Sequence, residues 1–237
     1  FQQGIKINLI LYAMKTRNLT LVVAMIVIFI NATLPQGLDY GDAPDPGYPT
    51  LSINNGAFHL ILPGLQLGTY VDGEVDGQPG PLARGDDQSF QDDADGVIFN
   101  SWIVAGQNSS VIVKASNVGT TGLLNAWIDF NADGDWLDAG EQIFTDSPMT
   151  AGSNALTFTV PATIAAGVTF ARFRYSTQGG LTPTGFAPDG EVEDYQLQLG
   201  VPVPGTVFLD PDPTMAFTQN EISLALIPDP NFGTPPL

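Results

Sequence analysis

Asp129, Asn131 and Asp133 stand at alternate positions and are followed directly by Gly134, so an oxygen-bearing side chain recurs at every second residue. This matches the opening half of a calcium loop, D-x-[DN]-x-[DN]-G. Ca²⁺ takes about six to eight hard oxygens at roughly 2.3–2.6 Å, which a chain curling around the ion can offer from alternate side chains. The glycine then allows the sharp turn. Asp135 and Glu141 are the candidates to complete the shell. An EF-hand places its bidentate Glu at the twelfth loop position; here that position is Gly140, and Glu141 follows one residue later. No helical pattern flanks the loop, since Trp127 and Ile128 lead in while Gly140 and Pro148 lie beyond it. The expectation is therefore a calcium loop carried on a β-scaffold. The competing reading is an acidic Asx-type turn that needs no metal.

Two weaker copies of the pattern lie upstream. Asp72, Glu74 and Asp76 alternate before Gly77, and Gln91-Asp92-Asp93-Ala94-Asp95-Gly96 repeats the frame with Gln first. These make Asp72, Glu74, Asp76, Asp92, Asp93 and Asp95 candidates for further metal sites. Carboxylates packed this densely repel one another, and a divalent cation relieves that repulsion.

Arg172 and Arg174 share one face of an expected strand, with Ala171, Phe173 and Tyr175 on the other. A hairpin to the segment Asp189-Gly190-Glu191-Val192-Glu193-Asp194-Tyr195 would let Glu191 or Glu193 meet an arginine fork. His59, the sole histidine, reads as a surface or hydrogen-bonded residue rather than a catalyst.

The elements that must position these groups are short strands. Val97–Ala105, Val111–Ala115, Leu124–Phe130, Leu156–Val160, Val168–Tyr175 and Tyr195–Leu199 are β-branched or aromatic and separated by Gly, Asn, Ser or Pro. Their period is two, with Leu156, Phe158 and Val160 on one side and Thr157 and Thr159 on the other. Such strands without intervening helices predict an all-β fold: an antiparallel β-sandwich, Ig-like or jelly-roll-like, with long acidic calcium-type loops, whose sheets can bury one face and wet the other. Nineteen prolines and 26 glycines in 237 residues agree with many turns.

The net charge is −18, and only Arg84, Lys114, Arg172 and Arg174 are basic beyond the N-terminal segment. So acidic a surface excludes nucleic-acid binding and favours cations. Without cysteine there are no disulfides, thiolate metal sites or cysteine catalysis. Met14-Lys15-Thr16-Arg17 followed by the apolar run Leu19–Ile30 has the form of a secretory signal. That run is shorter than the ~18–20 residues of a membrane-spanning helix. Residues 1–37 are thus expected to be an upstream segment plus a signal peptide, or an uncleaved membrane anchor. Residues 38–200 form the domain, loop-rich at first, with a core from about 105. Val201-Pro202-Val203-Pro204-Gly205 opens a linker, and 201–237 reads as the start of a following module.

Five separated motifs also carry a resemblance: Asp39-Tyr40-Gly41-Asp42-Ala43-Pro44, Asp92-Asp93-Ala94-Asp95-Gly96-Val97, Asn125 to Trp136, Arg172-Phe173-Arg174 and Gly190-Glu191-Val192-Glu193-Asp194-Tyr195. Together they resemble the GEVED domain family over roughly residues 38–200. The resemblance implies a β-sandwich in a multidomain protein secreted by bacteria or attached to their surface, with no known reaction. The functional expectation is a non-catalytic, calcium-stabilised module for adhesion or structural spacing in the extracellular matrix or on the cell surface. Its partners would be other extracellular modules of the same protein or cell-surface and matrix components. The alternative is a carbohydrate-binding accessory module of a secreted polysaccharide-active protein, with Trp102, Trp127 or Trp136 stacking on sugar rings. Catalysis is not expected: G-x-S-x-G, H-E-x-x-H and P-loop motifs are absent, and no carboxylate pair stands apart.

Overall fold

A computed structural model describes residues 37–85, 94–117, 119 and 121–200. The expected signal segment, the linker and following module, and Gln91, Asp92 and Asp93 lie outside the described residues.

The described chain is all-β apart from one turn of 3₁₀ helix at Ser52–Asn54. Its strands are β1 (Leu38–Tyr40), β2 (Phe58–Leu60), β3 (Gln66–Leu67), β4 (Val97–Phe99), β5 (Asn108–Ser116), β6 (Gly122–Ile128), β7 (Gln142–Met149), β8 (Gly152–Thr159), β9 (Gly167–Ser176), β10 (Phe186–Ala187) and β11 (Glu191–Leu199). One antiparallel sheet runs β11-β9-β6-β7. In the other, β8 pairs along β5, while β3 and β4 pair in succession along the remaining edge of β5. The inward residues of both sheets meet in one core. Val111 and Val113 of β5 and Phe158 of β8 pack with Leu124, Ala126 and Ile128 of β6 and with Phe173 and Tyr175 of β9. Phe144 meets Phe158 edge-on, their ring centres 6.0 Å apart. The arrangement is consistent with a β-sandwich.

β7 has no counterpart among the expected strands, and it runs through Pro148, which cannot donate to a ladder. It is tolerated because β7 is the edge of its sheet, where a missing N–H leaves no neighbour unpaired.

An antiparallel sheet can leave one face wet, but the β9 sheet does not. β9 is buried from Thr169 to Ser176 and β6 from Leu124 to Ile128, so both faces are covered. The outer face carries a second apolar cluster in which Trp127, Trp136 and Phe170 pack against Ala43 and Tyr48. The cover is the N-terminal segment, whose β1 and β2 form a small sheet with β10, the latter running parallel to β2. Residues read as a loop-rich prelude are therefore a third layer.

Candidate functional site

The segment Glu191 to Tyr195 opens β11, and its alternating side chains reach opposite faces of the sheet. Glu191 lies across from Tyr175 and Glu193 across from Phe173, so both acids share the core face. Glu191 Oε2 accepts the Leu67 N–H of β3. Glu193 Oε1 accepts the Gly96 N–H at 2.8 Å, and its Oε2 accepts the Tyr195 hydroxyl at 2.9 Å. These two carboxylates thus fasten β11 to the facing sheet. Asp194 lies across from Arg172 on the opposite face. Its carboxylate takes the Arg172 fork at 2.7 and 2.6 Å. Oδ2 also accepts the N–H groups of Asp42 (2.9 Å) and Ala43 (2.8 Å). The expected pairing of Glu191 or Glu193 with an arginine is replaced by Asp194, because the register puts those glutamates on the wrong face.

Arg174 uses its fork differently. Its Nη atoms donate to the carbonyls of Thr182 and Thr184 at 2.7 Å and of Gly185 at 2.6 Å. Its Nε donates to His59 Nε2 at 3.0 Å, which fixes His59 as a neutral tautomer whose Nδ1–H donates to the Asp189 carbonyl at 2.8 Å. Burial, then the neighbouring Arg174 charge, holds the His59 pKa well below its ordinary value. Burial, then Arg172, lowers Arg174 to about 9. His59 is accordingly a buried hydrogen-bonded residue.

Residues 129–141 connect β6 to β7. Asp129 is fully buried at the end of β6. Its Oδ1 accepts the Ala132 N–H at 2.6 Å, and Oδ2 accepts the Gly134 N–H at 3.0 Å. Oδ2 also accepts the Tyr48 hydroxyl at 2.5 Å. Ala132 and Gly134 hold positive φ (54° and 99°), so the chain curls tightly around this carboxylate. Glu141, also buried, accepts from the N–H groups of Phe130 and Asp138, each at 3.1 Å. Burial pushes its pKa up to about 7. Nearer the surface, the Asn131 amide donates to Asp133 Oδ2 at 3.0 Å and to Asp138 Oδ2 at 2.6 Å. Two carboxylates therefore converge on one small group. Asp138 was missed in the sequence because it falls outside the D-x-N-x-D-G frame. Asp135 turns its Oδ1 to the Leu137 N–H at 2.8 Å instead.

Residues 123–198 match the GEVED domain family. The match spans the acidic loop, the two arginines and the motif of β11, and it supports the resemblance read from the motifs. No curated protein and no solved structure matches the chain. Residues 39–44 and Gly96 precede the GEVED match, yet Asp194 and Glu193 hold the backbone of both stretches.

The weaker acidic repeats are distributed rather than gathered. Glu74 accepts from the Tyr40 N–H at 3.1 Å, and Asp76 from the Ser52 N–H at 2.7 Å. The Ser52 N–H first, with the Ser52 hydroxyl and the Gly77 N–H, lowers the Asp76 pKa. Asp95 holds the Thr69 N–H at 2.7 Å, and Asp72 is exposed. Among the described residues, no three acidic or histidine side chains group closely enough to hold an ion by themselves. Asp129, Asn131, Asp133, Asp138 and Glu141 all carry side-chain oxygens within the loop 129–141, but the loop does not gather them around one point. Trp127 and Trp136 are buried, whereas Trp102 is 50% exposed.

Proposed function

We propose that this chain is a non-catalytic, calcium-stabilised module of a larger bacterial extracellular or cell-surface protein, serving adhesion or structural spacing. The observation that carries the reading is the convergence of the Asp133 and Asp138 carboxylates on the Asn131 amide. Both carboxylates stand exposed on the acidic loop of a chain of net charge −18, where a bound cation would relieve like-charge repulsion. Asp129 and Glu141 beneath them are held by backbone N–H groups, so the loop is already curled. When bound, Ca²⁺ would draw oxygens from Asn131, Asp133 and Asp138, with Asp129 and Glu141 as the inner supports. The ion would supply charge neutralisation and rigidity rather than a reaction. The charged groups of the GEVED motif support a mechanical role, since Asp194, Glu191, Glu193 and Arg172 fasten one layer to another.

Melting with 10 mM CaCl₂ against excess EDTA tests this. Extracellular calcium modules bind at ~10⁻⁴–10⁻³ M, so 10 mM ion should stabilise by about 1.4–2.7 kcal/mol. That is a shift of several degrees, and it should shrink in Asp138→Ala. Identical melts after confirmed metal removal would exclude calcium. The carbohydrate-binding alternative keeps one exposed stacking candidate among the tryptophans, Trp102, and predicts glycan binding that Trp102→Ala abolishes.

A further inference from the structure

Sheet edges offer unpaired backbone groups to any further strand, and most edges of this domain are guarded. β3 and β4 span only two and three residues. β7 carries Pro148, shifts register against β6 and holds Asp146 at a positive φ of 45°. On β11 the Val192 N–H is taken by Asp39 Oδ2 at 2.6 Å. β8 has no such device. Gly152–Thr159 runs along residues 108–115 of β5 without a break in register, and among the described residues no strand pairs with its other side. The stretch Gly-Ser-Asn-Ala-Leu-Thr-Phe-Thr contains neither proline nor charge. A long, regular and uncharged edge of this kind is a template for another strand.

The distribution of charge selects the partner. All 25 acidic residues fall outside positions 97–128 and 147–188. β3, β4, β5 and β8 accordingly carry no acid, and the one charged side chain on their sheet is the exposed Lys114. In a chain of net charge −18, this is the sheet that a second copy can approach with least repulsion. The strand also complements itself. Ser153, Ala155, Thr157 and Thr159 stand exposed on its outer face, small or β-branched and without charge. Leu156, on the core side, is only partly buried and would gain cover from an added strand.

We infer that β8 is a self-association edge, pairing antiparallel with β8 of a second copy of this chain about a two-fold axis. The inference goes beyond the module reading and does not depend on calcium. Copies of net charge −18 repel at long range, but that repulsion is screened over about 8 Å at physiological ionic strength. Salt should therefore strengthen the association, the reverse of its effect on a contact made by ion pairs. Strand pairing over so small an area makes a concentration-dependent dimer rather than an obligate one.

The test is sedimentation velocity of the full chain in EDTA, from about 1 to 100 µM, the range in which weak dimers form. Dimer should accumulate with concentration, and more so at about 500 mM than at about 50 mM NaCl. Two variants add the same charge at different edges: Thr157→Asp on β8 and Thr145→Asp on β7, both at exposed positions. Like charges across paired strands are destabilising, and two-fold symmetry makes each contact twice. Thr157→Asp should therefore weaken dimerisation about fivefold or more, and Thr145→Asp by less than about twofold. Melting shows that both variants fold. Hydrogen exchange of the wild-type chain needs no variant: the β8 amides should slow as the chain is concentrated. A chain that stays monomeric at both salt concentrations overturns the inference, and so do equal effects of the two variants. A monomer whose β8 amides already exchange slowly overturns it too, and would give the edge to the apolar run 222–227 of the same chain.

Discussion

Asp194 and Arg172 form a fully buried ion pair at 2.6 Å. Around it, Arg172 also donates to the carbonyls of Pro49 (2.7 Å) and Pro183 (2.9 Å), so the guanidinium's hydrogen-bonding groups are matched on several sides. The pair sits where three stretches of chain meet: β9, β11 and the N-terminal layer. Gly41 touches it so closely that an added Cβ would stand 2.5 Å from Asp194 Oδ2 and 2.6 Å from Arg172 Nη2.

Breaking one side of such a pair leaves an uncompensated buried charge, which typically costs about 3–5 kcal/mol. Asp194→Ala is expected to lose stability on that scale in urea unfolding, and Gly41→Ala to be strongly destabilised by steric conflict. The double variant Asp194→Leu with Arg172→Leu should recover part of the loss but not all of it. The N–H groups of Asp42 and Ala43 would still lack their acceptor. A full recovery would show that the backbone clamp contributes nothing.

The family match covers only part of a folding unit. A chain truncated to begin at Ala94 would lose the layer that covers Arg172, Arg174 and the Trp136 cluster. We expect it to show no cooperative melt by circular dichroism, whereas the chain carrying residues 38–200 should melt cooperatively. A truncated chain that melts as sharply and as late would disprove the integral role of the first layer.

His59 gives the fold a sensitivity to mild acid. Its folded pKa is depressed by burial and by Arg174, with Arg172 adding to the same effect. The unfolded chain therefore binds a proton near pH 6.5 that the folded chain refuses. The stability this group contributes is fully present above pH 6.5 and is lost as pH falls, by up to ~1.4 kcal/mol per pH unit. The raised pKa of Glu141 acts with the opposite sign in both chains, so from pH 7.5 to 5.5 the wild-type denaturant midpoint should fall relative to that of His59→Asn. Parallel curves would assign the slope to other groups.

Tyr175 makes an opposite kind of prediction. Its hydroxyl is buried without a hydrogen-bond partner, and burial raises its pKa to about 12. Removing an unsatisfied polar group while keeping the ring should be neutral or stabilising, by about 1 kcal/mol. Tyr175→Phe is thus expected to unfold at equal or higher urea. Gly122→Ala should do the reverse, since its Cβ would fall 2.1 Å from the Tyr175 ring. A Tyr175→Phe chain that unfolds early would mean that the hydroxyl is satisfied in solution.

Much of the architecture was legible in local pattern. The two-residue period of Leu156 to Val160 and of Ala171 to Tyr175 marked β8 and β9, because a pleated strand sends neighbouring side chains to opposite faces. Three of the five motifs, at Asn125 to Trp136, Arg172 to Arg174 and Gly190 to Tyr195, fall within the family match, and the loop around Asp129 was placed by its alternating oxygens and Gly134. What lay hidden were relationships between distant segments. Nothing local shows that Asp194 rather than Glu191 or Glu193 would meet Arg172, since a shift of one residue in register exchanges the two faces.

The sequence by itself determined that this chain is a β protein with an acidic turn of oxygen donors, because side-chain period and turn chemistry are properties of neighbouring residues. Only the tertiary structure decided that the arginine face is covered, that β7 runs through Pro148 at an edge, and that Tyr48 reaches Asp129 across 81 positions. Those outcomes depend on which faces find an apolar or charged partner when the layers close, and that choice is made by the packing of the whole domain.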